Sequence, residues 1–97
     1  MTTKSNDDYI ALLYKAVLTL ETVDECKAFF KDLCTVPEIK AMAQRFAVAK
    51  MLSQNCKYNE IVEATGASTA TISRVKRSIE YENAGGYNIA LDRMDEE

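Results

Sequence analysis

Apolar residues recur at helical spacing from the start of the chain. Over residues 7–20, Tyr9, Leu13, Ala16, Val17 and Leu20 fall on one face, with Ile10 and Tyr14 beside it. That three-to-four-residue period predicts an amphipathic helix, and Asp7 and Asp8 suit the positive end of its dipole. Thr22-Val-Asp-Glu25 is a capping-box pattern, in which a hydroxyl and a carboxylate satisfy unpaired N–H groups. It opens a second helix carrying Val23, Cys26, Phe29, Phe30 and Leu33. A second box, Thr35-Val-Pro-Glu38, opens a third over 36–54, with Pro37 in the first turn, where its missing N–H does no harm. The apolar residues of this helix, among them Ile39, Met42, Phe46, Val48, Ala49 and Leu52, cover more than one stripe. Such a helix packs against several neighbours. No segment alternates with a period of two and no internal repeat is visible. The pattern is all-α.

The stretch from Tyr58 to Ile79 changes the picture from fold to function. A short helix over about 59–65 must end at Gly66, which supplies the left-handed conformation of a tight turn. Ser68 then caps a second helix that runs to about residue 82. Ile61, Val62 and Thr65 on the first would face Ile72, Val75 and Ile79 on the second, which is the spacing of a helix-turn-helix. In that motif the first turns of the second helix enter the DNA major groove. The exposed residues there are Ser68, Thr69, Ala70, Thr71 and Ser73, small enough for close approach to base edges. Arg74, Lys76 and Arg77 follow in a segment with no acidic residue between Glu63 and Glu80, suited to neutralising phosphates. A helical hairpin that needs glycine in its turn and is basic on its outer face would show the same local pattern.

Composition removes most other chemistry. The 97 residues are one domain's worth of chain and contain no histidine and no tryptophan, so imidazole-based catalysis is excluded. Cys26, Cys34 and Cys56 leave a tetrahedral zinc site one ligand short, and an odd count at irregular spacing is no disulfide framework. They read as reduced thiols; neither a metal nor any cofactor is expected. With no nucleophile–base pair and no phosphate loop, the chain is not expected to be an enzyme. The N-terminus lacks an apolar signal segment, and the longest apolar run, Tyr9 to Tyr14, is six residues against the ~20 that span a bilayer. A cytoplasmic protein without a membrane partner is the expectation.

The net charge of −3 hides a segregation. Residues 1–25 carry −3 and 80–97 carry −5, whereas 26–56 carry +3 and 57–79 carry +2. Electrostatic binding follows the local footprint and not the total, so the acidic balance does not exclude nucleic acid.

Two blocks carry a resemblance to a known family: Leu33-Cys-Thr35-Val-Pro-Glu-Ile-Lys-Ala-Met-Ala-Gln-Arg45 and Gly66-Ala-Ser-Thr-Ala-Thr-Ile-Ser-Arg74. The chain resembles the Trp repressor superfamily over roughly residues 8–82, and within it the Trp-repressor-related, YerC/YecD-like branch. The resemblance implies an intertwined all-helical homodimer of about six helices per chain. Residues 1–97 would then be a single domain, with a dimerisation core over 8–56, the helix-turn-helix over 58–82 and a short C-terminal segment with an acidic tail over 83–97. Apolar surface on helices 7–20 and 36–54, more than a lone small chain covers, agrees with a dimer. The implied function is a transcriptional regulator, a repressor, on a palindromic double-stranded operator. Ser68, Thr69, Ala70, Thr71 and Ser73 would read bases, while Gln44, Arg45, Arg74, Lys76 and Arg77 hold phosphates. The alternative is a helical protein-interaction module that kept the fold without sequence-specific DNA binding. The family's repressor binds tryptophan between two arginines, with a threonine and a serine in the same pocket. Those residue types stand here at Arg45, Arg74, Thr35 and Ser78, a candidate pocket for a small-molecule co-effector. A glycine follows the second arginine in the tryptophan-binding member; Val75 stands in its place and argues against tryptophan.

Overall fold

The computed structural model describes residues 5–82 and 84–95. Six α-helices follow in order: α1 (Asn6–Val17), α2 (Val23–Leu33), α3 (Val36–Ser53), α4 (Tyr58–Thr65), α5 (Thr69–Arg77) and α6 (Gly86–Asp95). A π-helical turn, Ser78–Glu82, follows α5, and no strand occurs among the described residues. The fold is all-α, and it divides into two compact units, Met1–Ile39 and Lys40–Glu97. The division falls inside α3.

Local hydrogen bonds explain where the helices of the N-terminal unit begin. Ser5 caps α1 in a reciprocal box: its hydroxyl accepts from the Asp8 N–H at 3.3 Å and its own N–H donates to the Asp8 carboxylate at 3.0 Å. The helix stops at Val17, three residues before the predicted limit. There the N–H groups of Thr19 and Leu20 bond to the Ala16 and Val17 carbonyls, tightening the last turn. At α2 the Thr22 hydroxyl accepts from the Glu25 N–H at 3.0 Å, but the Glu25 carboxylate takes the Glu21 N–H at 2.8 Å instead of that of Thr22. The Thr35–Glu38 box at α3 is complete, with bonds of 2.8 and 3.3 Å. The Thr35 N–H, and then its hydroxyl, hold the Glu38 carboxyl below the usual glutamate range. Because the lowered pKa belongs to the folded state, this cap is fully present above that range and is lost on acidification.

None of the side chains of α1 or α2 is buried. Leu13, Ala16 and Val17 are half-covered, but Tyr9, Leu12, Tyr14, Leu18 and Val23 are each more than half exposed. Phe29 and Phe30 stack edge to face at 5.5 Å. A helix pair with this much uncovered apolar area lacks the burial that ordinarily offsets the entropy of ordering it.

The C-terminal unit holds the core. Val48 and Ala49 of α3, Ile61 of α4, Ala67 of the turn, Ile72 and Val75 of α5 and Leu91 of α6 form one buried cluster. Ile79 packs against it, as expected, whereas Val62, 37% exposed, lies outside the cluster. Ile61 is the buried residue of α4. The predicted single helix to residue 82 instead changes to π geometry after Arg77. Beyond it, the short C-terminal segment expected over 83–97 includes α6, ten residues long, anchored by buried Leu91 and by Tyr87, whose ring lies 6.3 Å from that of Phe46. Asp92 and Asp95 lie on this helix; Glu96 and Glu97 fall outside the described residues.

Gly66 ends α4 at φ 72°, ψ 5°, its N–H bonded to the Val62 carbonyl. A side chain there would meet nothing within 4 Å, so the requirement is conformational and not spatial. Gly66→Val is therefore expected to cost about 1–3 kcal/mol through left-handed strain alone. Thermal unfolding followed by circular dichroism would register it as a lowered Tm with unchanged cooperativity.

Candidate nucleic-acid interface

The interface is assembled from α4, α5 and the turn between them, and the turn is tied down on both sides. The Thr65 hydroxyl donates to the Ile61 carbonyl at 2.7 Å and accepts from the Ala67 N–H at 3.1 Å. From α3, the Gln44 amide donates to the Thr65 carbonyl at 3.2 Å. The side chain of Ala67 is buried beneath the turn. These bonds, with the Ile61–Ile72–Val75 packing, fix the angle at which α5 leaves the turn.

Ser68 caps α5, its hydroxyl accepting from the Thr71 N–H at 3.1 Å and lying 3.1 Å from the Thr71 hydroxyl. Two of the five candidate base readers are thus engaged with each other, and Thr71 is half-buried. Thr69, Ala70 and Ser73 are exposed and stand clear on the outer face. Their small size leaves the backbone of the first two turns open to approach, the geometry that direct contact with base edges requires.

The cations separate into free and engaged. Arg74 and Arg77 are exposed, and no ion pair among the described residues engages either guanidinium. Lys76 is exposed as well, but its ammonium lies 3.9 Å from the Glu80 carboxylate and 5.8 Å from the centre of the Tyr58 ring. Both Lys76 and Glu80 are about half exposed, so the pair is solvent-screened and contributes little stability. Gln44, a candidate phosphate ligand, spends its amide on Thr65, and Arg45 is half-buried on α3. Ser73, Lys76, Arg77, Glu80 and Tyr81 line an open concavity of about 620 Å³. Sequence reasoning assigns no site role to Glu80 or Tyr81; their i+4 spacing from Lys76 and Arg77 is the available signal.

Of the candidate effector residues, Thr35 belongs to the N-terminal unit, where its hydroxyl caps α3. The Ser78 hydroxyl donates to the Arg74 carbonyl at 3.2 Å. Ser78 also lines a concavity of about 390 Å³ with Phe46, Gly85, Gly86 and Tyr87, whose walls do not include Thr35, Arg45 or Arg74. Val75 is 1% exposed, in the core cluster with Val48 and Ala49. Its side chain fills space that glycine at this position would leave open. The three cysteines are half-buried free thiols. No helix among the described residues is long and apolar enough to cross a membrane.

Comparison with known proteins places this geometry in context. The family model described as Trp repressor protein matches residues 8–95. The uncharacterized protein YerC of Bacillus subtilis (strain 168) is 51% identical over 84 residues, covering 87% of this chain and 80% of YerC. Among solved structures, a candidate Trp repressor from Staphylococcus aureus superposes with a TM-score of 0.86 at 50% identity, covering 93% of this chain and 89% of that one. A TrpR-like protein from Eubacterium eligens ATCC 27750 gives a TM-score of 0.86 at 46% identity, covering 91% and 90%.

Proposed function

This chain belongs to the Trp repressor family, and from that premise we propose that it is a sequence-specific, double-stranded-DNA-binding transcriptional regulator that acts as a homodimer. The family supports a DNA-binding regulator in general. The observation that carries the more specific reading is the outer face of α5. Small exposed residues occupy its first turns, and two unpaired guanidiniums follow on the same helix. Thr69, Ala70 and Ser73 contact base edges, with Ser68 and Thr71 holding the N-terminus of α5 in shape. Arg74 and Arg77 hold phosphates, with Arg45 adding positive potential nearby and the charge of Lys76 offset by Glu80. Gln44 acts through the turn it braces.

The homodimer rests on the N-terminal unit. Its uncovered Tyr9, Leu12 and Tyr14 give a second copy an apolar face to pack on. Two α5 helices set about 34–36 Å apart by such a dimer would read a palindromic operator. Repression follows from occupying a promoter in the cytoplasm, with no catalytic step. Val75 follows Arg74 where the family's tryptophan-binding member has glycine, which argues against tryptophan as the co-effector; a small molecule that modulates binding would be of another kind.

Light scattering and duplex titration test this together. The expected mass is twice the 10.9 kDa of the chain. The logarithm of duplex affinity should fall linearly with log salt, at a slope of about −0.9 per phosphate neutralised. Saturating tryptophan should leave that affinity unchanged. A protein of monomer mass, or one that ignores duplex DNA, would sink the proposal, and the second result favours the protein-interaction alternative.

A further inference from the structure

Resting on the DNA-binding reading above, we propose that Tyr81 is an additional DNA contact, donating its phenolic hydrogen bond to a backbone phosphate beyond the bases read by the first turns of α5. Tyr81 is 77% exposed, and no hydrogen bond among the described residues engages its hydroxyl. A large aromatic so exposed in the π turn just beyond α5 packs little and has no internal polar partner among the described residues.

The π turn sets its direction. In an α-helix each residue advances about 100° around the axis, so a residue eight positions after Ser73 would roll off the outer face. A π turn closes on i→i+5 bonds and advances less per residue. The Ser78–Glu82 turn therefore keeps Tyr81 in line with Ser73 and Arg77, and all three line the same open concavity. In that concavity Lys76 and Glu80 face each other at 3.9 Å and largely cancel. What remains unpaired is a hydroxyl at Ser73, a guanidinium at Arg77 and a phenol at Tyr81: three donors, one of them charged, with the one lining carboxylate, Glu80, already facing Lys76. A row of donors with net positive potential, continuous with the α5 face, fits the phosphodiester backbone of the same duplex. The occupant is DNA.

The test compares wild type, Tyr81→Phe and Arg77→Ala on a random-sequence duplex and on the duplex enriched by wild type. Tyr81→Phe removes one oxygen from an exposed ring and leaves the fold and the oligomer mass unchanged. It is expected to weaken both duplexes by the same factor, about tenfold, the value of a hydrogen bond to a charged group. The salt slope should not move, because a neutral donor displaces no counterions, whereas Arg77→Ala should flatten it by about 0.9. Wild-type binding with a Tyr81→Phe affinity within about twofold would overturn the Tyr81 assignment and leave the DNA-binding reading intact. A loss confined to the enriched duplex would also overturn it, since a phosphate carries no sequence information. A wild type that binds neither duplex overturns the DNA-binding reading itself.

Discussion

Changing both Arg74 and Arg77 to alanine is expected to abolish most duplex affinity while leaving the fold intact. The two guanidiniums are exposed on α5 and unengaged by any described acidic side chain, so neither supports the folded state. Surface substitutions of this kind change stability by only about 0.5 kcal/mol. In the complex each would hold one phosphate by a charge-assisted bond, and losing two such bonds weakens binding roughly a hundredfold or more. The diagnostic quantity is the salt dependence: the slope of log K against log salt should flatten by about 1.8, twice the contribution of a single phosphate. Equal slopes for wild type and the double variant would remove both arginines from the phosphate contacts. Lys76→Ala should have a smaller effect, because its ammonium already sits between Glu80 and the Tyr58 ring.

Ile72→Ala is expected to have the largest effect on stability. Ile72 is fully buried at the centre of the cluster that joins α3, α4, the turn, α5 and α6. Truncating it leaves a cavity among rigid neighbours, at a cost of about 2–5 kcal/mol. Small domains have about 5–15 kcal/mol in total, so the C-terminal unit would be left near its unfolding threshold. Urea denaturation should show a markedly lower midpoint, and duplex binding should fail along with the fold, unlike the arginine variants. Val62→Ala, at a partly exposed position ten residues earlier, should shift the midpoint far less. Equal shifts for the two would contradict the burial pattern on which the interface depends.

Local chemistry was legible in the sequence and tertiary chemistry was not. The Thr35–Glu38 box, the Gly66 turn and the Ser68 cap each involve groups three or four residues apart, and each forms as its residue types require. The Ser5–Asp8 box is equally local, but its aspartate in place of the usual glutamate or glutamine departs from the standard capping-box pattern. By contrast, Gln44 reaches across 21 positions to Thr65, and Lys76 settles over Tyr58 from another helix. No period or spacing encodes such pairs. Val62 is as apolar as Ile61, yet Ile61 is fully buried and Val62 is 37% exposed, a difference that residue type does not encode. The length of α6 was obscured by its acidic residues, which suggested a solvated tail, while Leu91 and Tyr87 supply the anchoring contacts. At the interface, exposure of Thr69, Ala70 and Ser73 followed from helical periodicity. The pairing of Ser68 with Thr71 and the departure of the helix from α geometry after Arg77 did not.

The central claim, that α5 reads sequence in duplex DNA as one of two heads of a dimer, is tested most directly by selection. A random double-stranded pool would be offered to wild type and to the Arg74→Ala/Arg77→Ala variant at about 0.15 M salt, where non-specific attraction is well screened. Wild type should enrich a palindrome whose half-sites lie about one helical turn apart, and the double variant should enrich nothing. No enrichment by wild type, or the same sequence recovered equally by both proteins, would contradict it.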